Sequence, residues 1–439
     1  MGRPLDEDYT SDGLIRFMKE QFGYVQDGRS EKDIEISLGD ALQSAYSMFA
    51  LKSPSLLSYI EEMAVHGNLK KVYQIGRVPS DTQMRTILDD VSPASFRPTF
   101  KSLFARLQRS RLLERFQVLD GHYLISGDGT GYFSSGNISC PSCMEKKSGN
   151  EILYYHQMYA ASLVHPDRKE VIPFMPEAIL KQDGSTKNDC ERNASGRFWK
   201  EFRREHPHLK AVVIEDSLSS NAPHIELLQK LDLRYILGVK PGDHEFLFKN
   251  IEFHSEAGRV SEIRKTEGNT EKTWRFINGV PLNGSSGIKV NFLEYHEKRT
   301  GVRKGKVKEY HGTWVTDIEI TETNVEELVR CARARWKIEN ETFNTLKNQG
   351  YQLEHSFGHG KKNLSVVFAV IMMLAFFVDQ IMQIAYEKFQ KAAAKCKARY
   401  RLWKKLQSAF ELVQVSSAED LYDIILGLIK LKPEKADSS

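Results

Sequence analysis

Cysteine is scarce in this chain, five residues in 439, and no secretory leader opens the sequence. A disulfide scaffold is thereby excluded as the organising device, and a reducing cytosol is the expected setting. Long hydrophobic runs are also missing. The longest, LSVVFAVIMMLAFFV at 364–378, has fifteen residues, contains Ser365 and runs into Asp379. It falls short of the ~20 apolar residues that cross a bilayer, so a buried core helix packed under a sheet is expected, and no membrane partner. Net charge is small at +4 and by itself argues for no nucleic-acid partner. No internal repeat is visible.

What the chain does have is ample core material, 41% hydrophobic residues against 27% charged, over a length that suits two or three units. Its charge is clustered. KRTGVRKGKVK (298–308) carries six cations in eleven residues, Arg303 and Lys304 among them, and KAAAKCKARYRLWKK (391–405) is similarly dense. Such blocks are solvated faces or, beside a catalytic centre, holders of phosphate backbones.

Periodicity divides the chain. Residues 1–118 read as helical: SPSLLSYIEEM opens on a Ser-Pro pair, and FRPTFKSLFARLQRSRLLERF repeats its apolar residues every three or four. From 119 to 240, short β-branched and aromatic runs (HYLISGDGTGYF, ILYYHQMYAASLV, LKAVVIEDS, LRYILGVK) alternate with the helical stretches CERNASGRFWKEFRREH and NAPHIELLQKL. That alternation predicts a mixed α/β sheet. Residues 241–322 alternate apolar and polar with Gly-rich turns and little helix signal, predicting a β-rich antiparallel insertion. Helix returns over 323–385, with Thr323 or Asn324 as the cap, and continues through a C-terminal region, 386–439.

The helix around residue 339 holds an oddity. At about 100° per residue, Leu328, Ala332, Trp336, Glu339, Phe343 and Leu346 fall within an arc of roughly 80°. Glu339 thus sits inside an oily stripe, whereas Glu341 points away to solvent. A buried carboxylate needs a partner: a cation such as Arg335, a metal, or water in a cleft. Two further acids bear on the choice. Asp128 ends HYLISGD ahead of Gly-Thr-Gly, and Asp216 ends AVVIED. Acids at the carboxyl ends of neighbouring strands converge on the crevice where α/β sheets bind ligands; taken singly, each is equally a cap or turn former. Glu215 rivals Asp216, but strand alternation sends one to each face, and Asp216 is nearer the loop.

In this order, DGT, then VVIEDS…NAPHI, then RWKIENETFNTLK, the residues resemble bacterial insertion-sequence transposases of the DDE type, over roughly 120–380. The resemblance implies a ribonuclease-H-like mixed-sheet core with a β-rich insertion between the second Asp and the Glu. In one branch of that family the last acid lies in a Tyr-x2-Arg-x3-Glu-x6-Lys signature. Arg335 and Glu339 keep its spacing; Ala332 stands at the Tyr place and Leu346 at the Lys place, with Lys347 one residue late. A π-bulge between Asn340 and Leu346 absorbs one extra residue and would swing Lys347 toward DNA.

The chemistry implied is phosphodiester cleavage with two Mg²⁺ (or Mn²⁺) ions, which suit hard carboxylate ligands. By resemblance Asp128 bridges both ions, while Asp216 and Glu339 hold one each. Arg335 and Lys347 clamp phosphates, and Lys240, Arg303 and Lys304 contact DNA, although for Lys240 a solvated strand-end lysine is the competing reading. The partners implied are terminal inverted repeats, target DNA and a second copy of the chain pairing two ends, in a bacterial cytoplasm beside the nucleoid. The N-terminal helices would bind DNA. Rival functions are a nuclease or resolvase on the same core, and a domesticated or inactive derivative that only binds DNA.

Lesser signals remain. CPSC, Cys140 to Cys143, has the knuckle spacing of a structural zinc site, with Cys190 and His156 as completing ligands. A lone CxxC lacks its second pair, and two reduced thiols in a loop are the competing reading. SFGHGKKN (356–363) is either a DNA-contacting loop or a plain helix connection. His156 is expected on a half-buried strand face, and Trp199 and Trp336 in the core.

Overall fold

Continuous apolar runs make strands covered on both faces, and AVVIE at 211–215 is such a run, buried at every position. The computed structural model describes residues 7–30, 34–63, 67–149, 151–181, 189–301 and 307–430. Within them the strands are β1 (Gln117–Val118), β2 (His122–Ser135), β3 (Met144–Ser148), β4 (Glu151–Val164), β5 (Ile172–Pro173) and β6 (Glu177–Ile179). After these come β7 (Ala211–Glu215), β8 (Arg234–Gly238), β9 (Ser261–Glu267), β10 (Thr270–Pro281), β11 (Lys289–Thr300) and β12 (Val307–Thr316). All join one sheet in the order β3-β4-β2-β7-β8-β12-β11-β10-β9, with β1 on β2 and β5 and β6 on β4.

β2, β7 and β8 run parallel and β4 antiparallel to β2. The helix Glu191–Glu205 precedes β7, and Ala222–Lys230 links β7 to β8. This is a mixed α/β fold with a ribonuclease-H-like core. The long hairpins β9 to β12 continue that sheet, because β12 pairs with β8 through Trp314, Val315 and Thr316. The helix Glu245–Glu256 lies where the sequence had given little helix signal. It buries Leu247 and Ile251 one turn apart, a spacing the neighbouring apolar residues masked.

Helices from both ends of the chain pack together. The helix Leu364–Ala385 is twenty-two residues long, well beyond the fifteen-residue apolar run, because Asp379 and Gln380 are carried inside it. By length and composition it is apolar enough to cross a membrane, yet it is buried here along nearly its whole length. Its main neighbour is the helix Leu38–Ala50 rather than the underside of the sheet, which it meets at β5. Asn68 Nδ2 donates to the carbonyls of Phe410 and Val413 at 2.7 Å each. Asp12 accepts from the amides of Ala418 and Glu419 at 2.8 and 3.1 Å. N-terminal and C-terminal helices thus share one core.

Candidate active site

The register of two parallel strands places the first two acids. Ser126 of β2 lies opposite Ile214 of β7. The ladder ends there; two residues on, Asp128 and Asp216 follow on the same face, near enough for the charge of Asp216 to add to the rise of the Asp128 carboxyl. β7 ends at Glu215, so Asp216 leaves the sheet there and its Oδ1 accepts from the Leu218 amide at 2.9 Å. Asp128 does not end its strand as the sequence suggested: β2 runs on to Ser135, with Asp128 opposite Ala160 of β4. The glycines around it permit close approach from the other face rather than a turn. A Cβ at Gly127 would collide with the Tyr159 hydroxyl, and one at Gly129 with the Glu191 carboxylate.

Glu215 faces away from Asp216, into the core. It accepts from Trp199 Nε1 at 3.1 Å, from His224 Nε2 at 2.6 Å and from the Tyr159 hydroxyl. Burial works to raise its carboxyl, but the charge and hydrogen bond of His224, together with the hydrogen bonds of Tyr159 and Trp199, hold the group below its ordinary value.

The third acid arrives on a broken helix. Val325–Arg333 is α-helical, Ala334 and Arg335 turn, and Ile338–Phe343 is π-helical before Asn344–Asn348 resumes as α-helix. Two hydroxyls seat this segment on the Asp128 face: Ser126 Oγ donates to the Arg335 carbonyl at 3.0 Å, and Ser162 Oγ meets Thr342 Oγ1 at 3.1 Å. Ser126 and Ser162 are themselves paired across β2 and β4. Arg335 Nη1 then lies 2.8 Å from Glu339 Oε1 and 3.4 Å from Asp128 Oδ2, so one guanidinium nitrogen joins two acids 207 and 4 residues away from it.

The turn at 334–335 also resets the helical phase. Trp336, expected in the core, is 51% exposed, with the Arg335 guanidinium 4.8 Å over its ring. Glu339 is only partly covered, its side chain 35% exposed, rather than sunk in an apolar stripe. Lys347 pairs with Glu354 at 2.9 Å.

A fourth carboxylate escaped the sequence reading. Glu191, first residue of its helix, approaches Gly129 from the opposite face. Burial, and then the charge of Glu191, raise Asp128 to about 7, with Arg335 and the Gly129 amide (2.8 Å) opposing and Asp216 adding to the rise. Glu191 is itself raised by burial and by Asp216 and Glu215. Its only trace in the sequence was an acid at a helix N-terminus, a common place for one. Among the described residues, four carboxylates thus share this cluster with the Arg335 guanidinium, and carboxylate oxygens are the donors that hard divalent cations take.

Other expected residues scatter. Lys240 is exposed just beyond β8, and Arg303 and Lys304 lie outside the described residues. Cys140, Cys143 and His156 do come together. Cys190 does not join them: it caps the helix at Glu191 and is exposed, and His359 stands in the fourth place.

A family model described as the transposase DDE domain matches residues 145–377. Asp216, Glu339 and Glu191 fall inside that span; Asp128 lies ahead of it. A comparison with curated proteins gives no match.

Proposed function

Since the chain belongs to the transposase DDE family, we propose that it cuts DNA at the ends of a mobile element and joins the freed ends to target DNA. What supports this reading is that Asp128 and Asp216 follow the paired stretch of two adjacent parallel strands on one face, with Glu339 linked to Asp128 through Arg335. Asp128, Asp216 and Glu339 would hold Mg²⁺ or Mn²⁺, which when bound polarises the phosphate and stabilises attacking and leaving oxygens.

The chain's own groups do the rest. Arg335 has a planar fork suited to a phosphate, and in place of its carboxylates it would take a phosphoryl oxygen. Lys347 would exchange Glu354 for the DNA backbone, because its pairing is partly exposed and held by one bond. The π-helical turn sets its direction, supplying the extra residue by which Lys347 departs from the family signature. Lys240, Arg303 and Lys304 would extend the contact along the duplex. The element is of the bacterial insertion-sequence kind, its ends terminal inverted repeats held by the N-terminal helices, and two copies of the chain pair two ends.

The test uses a labelled duplex carrying the DNA that flanks the gene, incubated with and without Mg²⁺, for the wild type and Asp128→Ala. Metal-dependent nicking at the repeat boundary, lost in the variant, is expected. Binding without nicking would instead mark a derivative that only binds DNA, and nicking without regard to the boundary a general nuclease.

A further inference from the structure

Four metal-ligating side chains outside the carboxylate cluster converge on a single point. Cys140 and Cys143 lie in the connection between β2 and β3, His156 on β4, and His359 in the loop ahead of the helix Leu364–Ala385. Their ligand atoms all lie within 4.8 Å of one another. The two sulfurs are 3.6 Å apart, His156 Nε2 is 3.3 Å from each, and His359 Nε2 is 3.2 Å from Cys143 Sγ.

Those spacings discriminate between chemistries. A disulfide needs sulfurs at ~2.05 Å, and both cysteines are free. A tetrahedron with Zn–S of ~2.3 Å and Zn–N of ~2.0 Å has edges of about 3.8 Å between sulfurs and about 3.5 Å between sulfur and nitrogen. Four of the six edges match those figures to within about 0.3 Å, and the other two do not exceed 4.8 Å. Hydrogen bonding alone does not require all four groups to meet, since each thiol is satisfied by one imidazole.

We propose that Cys140, Cys143, His156 and His359 bind one structural zinc ion that clamps the 356–363 loop to the edge of the sheet. Two soft thiolates and two imidazoles, with no open carboxylate, select Zn²⁺ over the hard cations that the acids favour. The rings are oriented by packing. His156 stacks on Tyr132 at 5.6 Å and 13°, and His359 lies 4.0 Å from Phe133. The position explains what the ion is for. His156 pairs with Phe133 four residues along β4 from Ala160, the partner of Asp128, or ~13 Å away. The ion is therefore separate from the carboxylates. It fixes instead the stretch of chain that leaves the Glu339 helix, binding across 216 residues of sequence between Cys143 and His359. The same loop is held on its far side by Asp89, which accepts from the amides of Lys361, Lys362, Asn363 and Leu364. This reading uses no part of the nuclease chemistry and stands or falls without it.

The full-length chain, expressed with zinc supplied and dialysed free of loose metal, is analysed for bound metal by plasma mass spectrometry and for reactive thiols. About one zinc per chain is expected, released when the thiols are titrated with a mercurial. His359→Ala and Cys143→Ser should lose it, His359→Cys should retain it, and Cys190→Ser should leave it unchanged. Cobalt substituted into the apoprotein should give the thiolate charge-transfer and intense tetrahedral bands of an S₂N₂ site, weakened in His359→Ala. Folded wild-type protein holding no zinc, or holding a Cys140–Cys143 disulfide, overturns the proposal. Zinc kept by His359→Ala but lost by Cys190→Ser overturns the ligand set. Circular dichroism on each variant separates loss of metal from loss of fold.

Discussion

Arg335 reaches Glu339 and Asp128 at 2.8 and 3.4 Å, so in the absence of bound cations it partly neutralises the carboxylates that divalent ions would need. Arg335→Gln removes that competitor while keeping most of the side chain's volume. At ~3 Å and an effective dielectric of ~20, opposite charges attract by ~5 kcal/mol. The side chains are between 17% and 35% exposed, and solvent screening cuts the attraction to about 1–2 kcal/mol. At about 1.4 kcal/mol per decade, the variant should bind Mn²⁺ roughly 5- to 30-fold more tightly without DNA. Nicking at the element end should fall roughly a hundredfold, because a preorganised donor to the phosphoryl group is lost. Calorimetric titration with Mn²⁺ and single-turnover nicking measure the two effects, with Asp128→Asn as the control that weakens metal binding. Unchanged Mn²⁺ affinity in Arg335→Gln would refute the competition, since the guanidinium would then not be what the ions displace.

Glu191 raises Asp128 by its charge, so Glu191→Gln should move the pH midpoint of Mn²⁺ binding downward; an unmoved midpoint would show that Glu191 does not reach the site electrostatically. Lys52, buried with its Nζ 2.7 Å from Asp379 and 4.3 Å over both Tyr351 and Trp403, offers a stability test. Asp379→Ala strands a buried cation and should cost ~3–5 kcal/mol in urea unfolding, whereas Lys52→Met with Asp379→Leu should be near neutral. Equal losses in the two would sink that account. The Glu215–His224 pair gives a pH dependence. Glu215 is lowered from 4.5, so its share is present above that pH and lost as pH falls through the folded value. His224 is raised from 6.5, so its share is complete below 6.5 and lost as pH rises through its folded value. The stability advantage of the wild type over His224→Gln should therefore peak between those two pH values and shrink on the alkaline side, as pH-dependent denaturation would show.

Period-two reasoning carried far in this chain because strand neighbours face opposite ways whatever the length of the strand. It separated Glu215 from Asp216 without coordinates: adjacent residues of a strand face opposite ways, and Asp216 was preferred as the one nearer the loop; Glu215 does turn into the core, where it meets His224. Period-3.6 reasoning failed at Trp336 for an equally physical reason. A wheel assumes one unbroken phase, and the turn at 334–335 followed by π-helix at Ile338–Phe343 breaks it twice. The sequence did hold a hint of irregularity, since Lys347 stood one residue late against the family spacing. The placement of Asp128 was misjudged because Gly-Thr-Gly is turn chemistry in isolation, whereas here the glycines serve as clearance for Tyr159 and Glu191.

Long-range partners were beyond any local pattern. The fourth member of the Cys/His cluster was sought at Cys190, but nearness along the chain carries no weight once a sheet intervenes. Cys190 ends on the helix cap at Glu191, on the face of β2 away from Glu339. His359 comes back only because the chain leaves the Glu339 helix and crosses to β4 and the β2–β3 connection before entering the helix Leu364–Ala385. Asp128 and Glu339 share one arginine because Ser126 and Ser162 seat the 335–342 stretch on β2 and β4. A loop anchored at His359 on one side and at Asp89 on the other leaves the Glu339 helix little freedom to slide along the strands. A carboxylate that presents its oxygens to a small cation needs its helix held still; were Glu339 to hold an ion, that restraint would lie some 20 residues beyond it, where no motif search centred on Glu339 would look.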